Sequence, residues 1–176
     1  MSDILLDVKD LVIHYETDDG LVQALNGVSL QIHTGKTLGL VGETGAGKTT
    51  LAKGIMQLVP NPPGKIKGGE VFYDGEDLLK KSVQEMRKVR GKQISMIFQD
   101  PMTSLNPTMK IGDQIAESIL IHRQISKEEA YKEALEMLQL VKIPNAEKRM
   151  KQYPFEFSGG MRQRAKIAIA LACKPE

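Results

Sequence analysis

The chain has 176 residues, 24 Lys+Arg against 22 Asp+Glu, a formal net charge of +2, 41% hydrophobic residues and a single Cys. That length and apolar content suit one globular domain with a real core, and near-neutral charge with apolar residues in periodic blocks argues against disorder. Cys173 has no partner in the sequence for a disulfide, and the longest apolar run, the seven residues from Ile167 to Cys173, falls far short of the roughly 20 a membrane helix needs. The N-terminus, Met1 to Asp7, has no basic residue ahead of its apolar ones, so it does not read as a secretory signal and a cytosolic location is expected.

In chain order, Leu5–Tyr15 and Leu21–Ile32 are rich in apolar and β-branched residues and flank Asp18-Asp19-Gly20, which predicts an antiparallel hairpin. Lys36–Val41 reads as a short apolar strand running into a glycine-rich loop, and Lys48–Leu58 as a helix that Pro60, Pro62, Pro63 and Gly64 prevent from continuing. Gly69–Tyr73 reads as a further strand closed by Asp74-Gly75. Ser82 and Glu85 form a capping box at the start of a helix that Gly91 stops. Gln93–Phe98 reads as a short buried strand, and Asp100-Pro101 through Asn106-Pro107 as loop. From there to Tyr153 the pattern is helical, with a second capping box at Ser126 and Glu129 and with Ala130, Ala134, Leu135, Leu138 and Val141 at three- and four-residue spacing. No internal repeat is visible, so solenoid architectures have no support.

Gly42-Glu43-Thr44-Gly45-Ala46-Gly47-Lys48-Thr49 satisfies G-x-x-x-x-G-K-[ST] between an expected strand and an expected helix. Gly42, Gly45 and Gly47 allow backbone dihedrals closed to other residues, so successive N–H groups can curl around a polyphosphate at the positive end of the helix. Lys48 then supplies a mobile charge for the β- and γ-phosphates, and the Thr49 hydroxyl a ligand for bridging Mg²⁺. The motif implies a nucleotide-binding fold without choosing among kinases, GTPases, motors and transporters.

A second glycine loop narrows the choice. Phe157-Ser158-Gly159-Gly160-Met161-Arg162-Gln163-Arg164 precedes an Ala/Ile-rich helical stretch, with Ser158 placed to cap the helix and the paired glycines leaving backbone N–H groups open to an anion. Seven basic residues against two acidic ones from Lys142 to Lys166 add positive potential. The segment resembles the L-S-G-G-Q signature of ABC-type ATPases. Ile97-Phe98-Gln99-Asp100-Pro101 resembles the Q-loop of the same family, in which the equivalent Gln contacts Mg²⁺ and the attacking water, and Tyr15 matches the aromatic position that stacks on adenine. The stretches Ile94–Pro107 and Tyr153–Arg164 look like those of ATP-binding subunits of oligopeptide and dipeptide importers, with nickel importers close behind. Phe157 and Met161 depart from the Leu and Gln of the general signature, as is usual in the peptide-importer subfamily, while Thr44 and Thr49 keep a hydroxyl where Ser is common.

This resemblance implies an α/β P-loop NTPase core with an N-terminal antiparallel β subdomain (1–99 with the phosphate loop), a helical subdomain (100–157) and the signature motif with its helix (158–176). It implies ATP and Mg²⁺ as ligands. The implied nucleotide contacts are Tyr15, Gly42, Glu43, Thr44, Gly45, Ala46, Gly47, Lys48, Thr49 and Thr50, with Ser158, Gly159, Gly160 and Met161 contributed to a second copy's site; Thr49 and Gln99 would hold the metal, and Lys48 and Gln99 take catalytic roles. The implied partners are a homologous ATP-binding subunit, forming a heterodimer, two membrane permeases and, through them, a solute-binding protein, at the cytoplasmic membrane face and without nucleic acid. ATPases of this kind continue past the signature helix into a strand ending in Asp-Glu, a D-loop and a switch His, whereas this sequence stops at Lys174-Pro175-Glu176. A piece of a longer subunit is therefore expected, missing sheet strands and not expected to hydrolyse ATP alone. His14, His33 and His122 read as structural or surface residues, and Cys173 as a packing residue. An importer of nickel or another solute, a soluble ABC protein of DNA repair or translation, and an inactive nucleotide-binding fragment stay open as alternatives.

Overall fold

The computed structural model describes residues 3–98 and 105–175, and the chain divides into two compact units, Met1–Met86 and Arg87–Glu176. In the first, β1 (Ile4–Thr17) and β2 (Gly20–His33) form the expected hairpin across an Asp18-Asp19 turn. β3 (Gly64–Tyr73) pairs antiparallel with the other edge of β1, and β4 (Glu76–Asp77) returns on β3 through Asp74 and Gly75, giving the order β2-β1-β3-β4. Strict alternation along β1 would follow Leu6 and Val8 with Asp10 on the buried face; instead Leu11 and Ile13 are buried. The ladder slips between Val8 and Leu11, where Asp10 takes a φ of 46° and its N–H donates to Ser29 Oγ at 2.8 Å. One extra residue is absorbed there, which keeps the four apolar side chains on one face.

Helix α1 (Lys48–Ile55) seats on that face, its Leu51 and Gly54 buried, with Ile13 and Leu11 beneath Gly54. It ends three residues before the expected Leu58. Gln57 takes a left-handed φ of 49°, so the Gln57 N–H reaches Gly54 O at 3.0 Å and the Leu58 N–H reaches Lys53 O at 2.7 Å, closing the last turn.

The unit from Arg87 onward is a helical cluster. α2 (Val83–Val89), which spans the division, starts at the expected box: Ser82 N–H donates to Glu85 Oε2 at 2.7 Å. α3 (Ile111–His122), α4 (Lys127–Leu140) and α6 (Gly159–Leu171) bury Ile111, Ile115, Ile119, Ala130, Ala134, Leu138, Ala165 and Ala168 in one core, joined by the short α5 (Ala146–Arg149) and a 3₁₀ turn at Pro154–Glu156. Alanines on α4 and α6 let the helices approach closely without opening voids. The second capping box is present in full, with Ser126 N–H on Glu129 Oε2 at 2.9 Å and Glu129 N–H on Ser126 Oγ at 3.1 Å. Among the described residues no helix is long and apolar enough to cross a membrane.

Two expected strands do not form. Lys36–Val41 makes no ladder, and its Leu38, Leu40 and Val41 are exposed, Val41 by 94%. Gln93–Phe98 makes only an isolated bridge at Ile94 and leaves Ile97 and Phe98 exposed. A strand exists only through a neighbour's hydrogen bonds, and neither segment has a strand partner among the described residues.

Candidate functional site

The first glycine loop connects the extended segment after β2 to α1, and its shape follows from two glycines. Gly45 and Gly47 take φ values of 88° and 84°, the left-handed region that L side chains resist. Gly47 is the residue before α1 and packs tightly on β2: a Cβ there would lie 2.8 Å from Ala24 O and 2.8 Å from Leu25 Cδ2. Gly42 corrects the expectation of unusual dihedrals at all three glycines. Its φ is not in the left-handed region; its constraint is space, since an added Cβ would stand 3.3 Å from Ala46 Cβ and 3.9 Å from Lys48 Nζ.

With glycine before the helix, no side chain caps the first turn of α1, and that turn contains no acidic residue. The N–H groups of Lys48, Thr49 and Thr50 belong to that first turn, where the helix dipole is positive. The Lys48 ammonium folds back over the loop and donates to Gly42 O and Glu43 O, both at 2.6 Å, which places its charge inside the curve of residues 42–48. Thr49 is exposed beside it. Backbone donors, a fixed cation, a hydroxyl and no carboxylate in the first turn form a donor set that fits a polyphosphate with its metal.

Tyr15 lies near the end of β1, across from Val22 on β2 and Gly64 on β3, and is half-buried; a Cβ on Gly64 would meet Tyr15 Cε1 at 2.8 Å, so the ring edge rests on that glycine. Gln99, with Asp100 to Ser104, lies outside the described residues.

In the second unit Ser158 caps α6 as expected, its Oγ accepting from Met161 N–H at 3.3 Å. Phe157 just before it is buried, so the chain passes from core to solvent within one residue. Gly159 and Gly160 are exposed, and a Cβ on either would meet nothing within 4 Å. Three cations that the sequence shows only as part of a basic run have specific tasks. Arg162 donates from Nε to Pro154 O at 2.8 Å, Arg164 from Nη1 to Lys142 O at 2.7 Å, and Lys166 from Nζ to Phe98 O at 2.6 Å. The available signal for Lys166 is a charged residue inside the apolar stretch Ala165–Ala172. For Gln114, whose side chain is buried and bonded to Asn106 and Met109, it is an amide on the face of Ile111 and Ile115.

His14 and His33 sit in the hairpin strands and His122 at the end of α3. Cys173 follows α6, half-buried, its thiol donating to Ser118 O at 3.2 Å.

The family model described as ABC transporter matches residues 25–176. The oligopeptide transport ATP-binding protein OppD of Bacillus subtilis (strain 168) is 56% identical over 172 residues, covering 98% of this chain and 48% of that protein. The dipeptide transport ATP-binding protein DppD of the same organism is 49% identical, covering 98% of this chain and 51% of that protein. Among solved structures, the dimeric post-hydrolysis state of the ATP-binding cassette MJ0796 bound to ADP and Pi superposes with a TM-score of 0.85 at 28% identity, covering 97% of this chain and 70% of that one. The chain spans about half the length of the curated relatives it matches. The match takes in both glycine loops and most of the residues between and around them, and on it the chain belongs to the ABC transporter family.

Proposed function

We propose that this chain is the nucleotide-binding part of an ATP-hydrolysing, energy-coupling subunit of an importer for oligopeptides or dipeptides. The observation that carries the reading is the loop from Gly42 to Thr49: two left-handed glycines, an uncapped helix start and an ammonium held within the curve. Gly42 to Thr50 would hold the phosphates, Thr49 and Gln99 the Mg²⁺, and Tyr15 the adenine. Bound MgATP supplies the phosphoanhydride whose hydrolysis does the work, and the metal neutralises charge on the transferred group. Within the chain, Lys48 exchanges carbonyl partners for phosphate oxygens, and the N–H groups of the first turn of α1 orient them.

The second loop supports a paired arrangement. Gly159 and Gly160 are the first two residues of α6, and glycine loses more conformational freedom on folding than any other residue. Neither has a left-handed φ nor a neighbour that a Cβ would touch among the described residues. The demand for glycine thus comes from a group approaching from outside, in our reading the phosphates held by a homologous subunit. Two permeases and a solute-binding protein would complete the assembly at the cytoplasmic face of the membrane, with peptide cargo inferred from relatives named for oligopeptide and dipeptide transport.

Lys48→Ala tests the reading. MgATP binding by equilibrium titration is expected to weaken by at least tenfold, as loss of a charge-assisted contact does, and peptide uptake by cells carrying the variant in the full-length subunit should stop. Unchanged affinity and uptake would refute it.

A further inference from the structure

Among the described residues two polar side chains are buried, Gln114 and Lys166, each 6% exposed. Their hydrogen bonds fall on either side of one short stretch of chain. From α3, Gln114 Oε1 accepts from Asn106 N–H at 2.9 Å, while its Nε2 donates to Asn106 O and Met109 O, each at 2.9 Å. From α6, Lys166 Nζ donates to the carbonyl of Phe98, the residue directly before Gln99. A buried ammonium is costly unless well paired, and an apolar side chain between Ala165 and Ile167 would pack without that cost. At this position an amine is useful for what it holds.

We infer that Lys166 is a positioning residue, fixing the backbone that leads into Gln99 to the helix that presents Ser158, Gly159 and Gly160. The inference rests on the proposed function, which makes Gln99 and the second glycine loop nucleotide-facing. Lys166 lies eight residues beyond Ser158, or about 12 Å along the axis of α6. The bond at 2.6 Å is charge-assisted and directional, so it couples the position of α6 to the Phe98 carbonyl directly. Lys48, the cation of the first glycine loop, donates to Gly42 O and Glu43 O and shares neither acceptor with Lys166. Loss of the bond therefore acts on turnover and leaves nucleotide affinity in place.

The test uses the transporter assembled from the full-length subunit and its membrane partners. Lys166→Met keeps the length and apolar stem but removes the donor; kcat for MgATP hydrolysis is expected to fall about tenfold while MgATP affinity, by titration, stays within about twofold. Lys166→Arg keeps a charged donor and should recover most of the rate. Wild-type turnover in Lys166→Met, parallel loss of affinity and rate, or no recovery with Arg overturns the inference. Should Lys166→Met not fold, Lys166→Gln, polar but too short to span the bond, is read by the same two measurements. Lys48→Ala run alongside separates the two failures. Nucleotide binding indifferent to Lys48→Ala refutes the proposed function and the inference with it; binding that requires Lys48, with turnover indifferent to Lys166→Met, refutes the role of Lys166 alone.

Discussion

Gly45 and Gly47 have nearly the same backbone conformation and very different surroundings, which allows conformational strain to be separated from steric contact by one pair of substitutions. At Gly45, φ is 88° and a Cβ would meet nothing within 4 Å. Gly45→Ala therefore bears only the left-handed penalty, about 1–2 kcal/mol for an L residue. At Gly47, φ is 84° and the Cβ would sit 2.8 Å from both Ala24 O and Leu25 Cδ2. The Leu25 methyl can rotate away, but the Ala24 carbonyl belongs to the backbone of β2, which is held on β1 by the pairs on either side of it, Leu25 with Ile13 and Gln23 with His14. Forcing β2 and the start of α1 apart adds an overpacking cost of about 1–3 kcal/mol. The two variants should thus differ by about 2 kcal/mol, roughly 30-fold in the unfolding constant. Urea denaturation of the two variants and the parent, followed by far-ultraviolet circular dichroism, measures the difference. Equal destabilisation by both substitutions would refute the argument, because it would mean that the contact with β2 contributes nothing.

Two further expectations concern titration. The backbone N–H and the hydroxyl of Ser126 hold the Glu129 carboxyl below the usual carboxylate range. Because the folded value is the lower one, the stabilisation is present above the unfolded pKa and is lost as pH falls through the folded value. Glu129→Gln should flatten the acid limb of the stability profile measured by urea unfolding across that window, and an unchanged slope would count against the box as its source. Burial pushes the Cys173 thiol above its ordinary range, and its hydrogen points to Ser118 O. Alkylation by iodoacetamide in the native protein should be slower than in urea and should go on rising with pH beyond the range where free thiols level off; equal native and denatured rates would contradict this.

What could be read from the sequence was what neighbouring residues decide among themselves. Each capping box needs only a serine, a glutamate and a spacing of three, and both form. The hairpin needs two β-rich runs and a turn, and it closes at Asp18-Asp19. The first glycine loop needs its glycines and the start of a helix, all within eight residues. By contrast, Lys36–Val41 and Gln93–Phe98 have the composition of strands, but composition does not provide a ladder partner. The roles of Lys166 and Gln114 were hidden for the same reason. Their acceptors lie at Phe98, Asn106 and Met109, on other segments, and the basic run around Arg162 to Lys166 gave no sign that its charges end on carbonyls.

The two glycine loops are presented by different physical means, and each puts a buried contact next to an exposed donor. At the first, the close approach of Gly47 to Ala24 fixes the start of α1, and the N–H groups beyond it are left for a ligand because no side chain caps them. At the second, Phe157, 2% exposed, enters the core shared with Met150 and Ala165, and the next residue caps α6. Arg162 then ties the first turns of that helix back to Pro154 O, so the segment before Phe157 and the helix after it are joined on both sides of the exposed glycines. The general signature has Leu where this chain has Phe157; the larger ring buries more surface and anchors the turn more firmly, adding on the order of 1 kcal/mol if the core accommodates it. The glycines themselves contribute nothing to packing. Their position is set by the residues beside them, so substitutions in the core at Phe157, or on β2 at Ala24, act on the loops without touching any atom that would meet a phosphate.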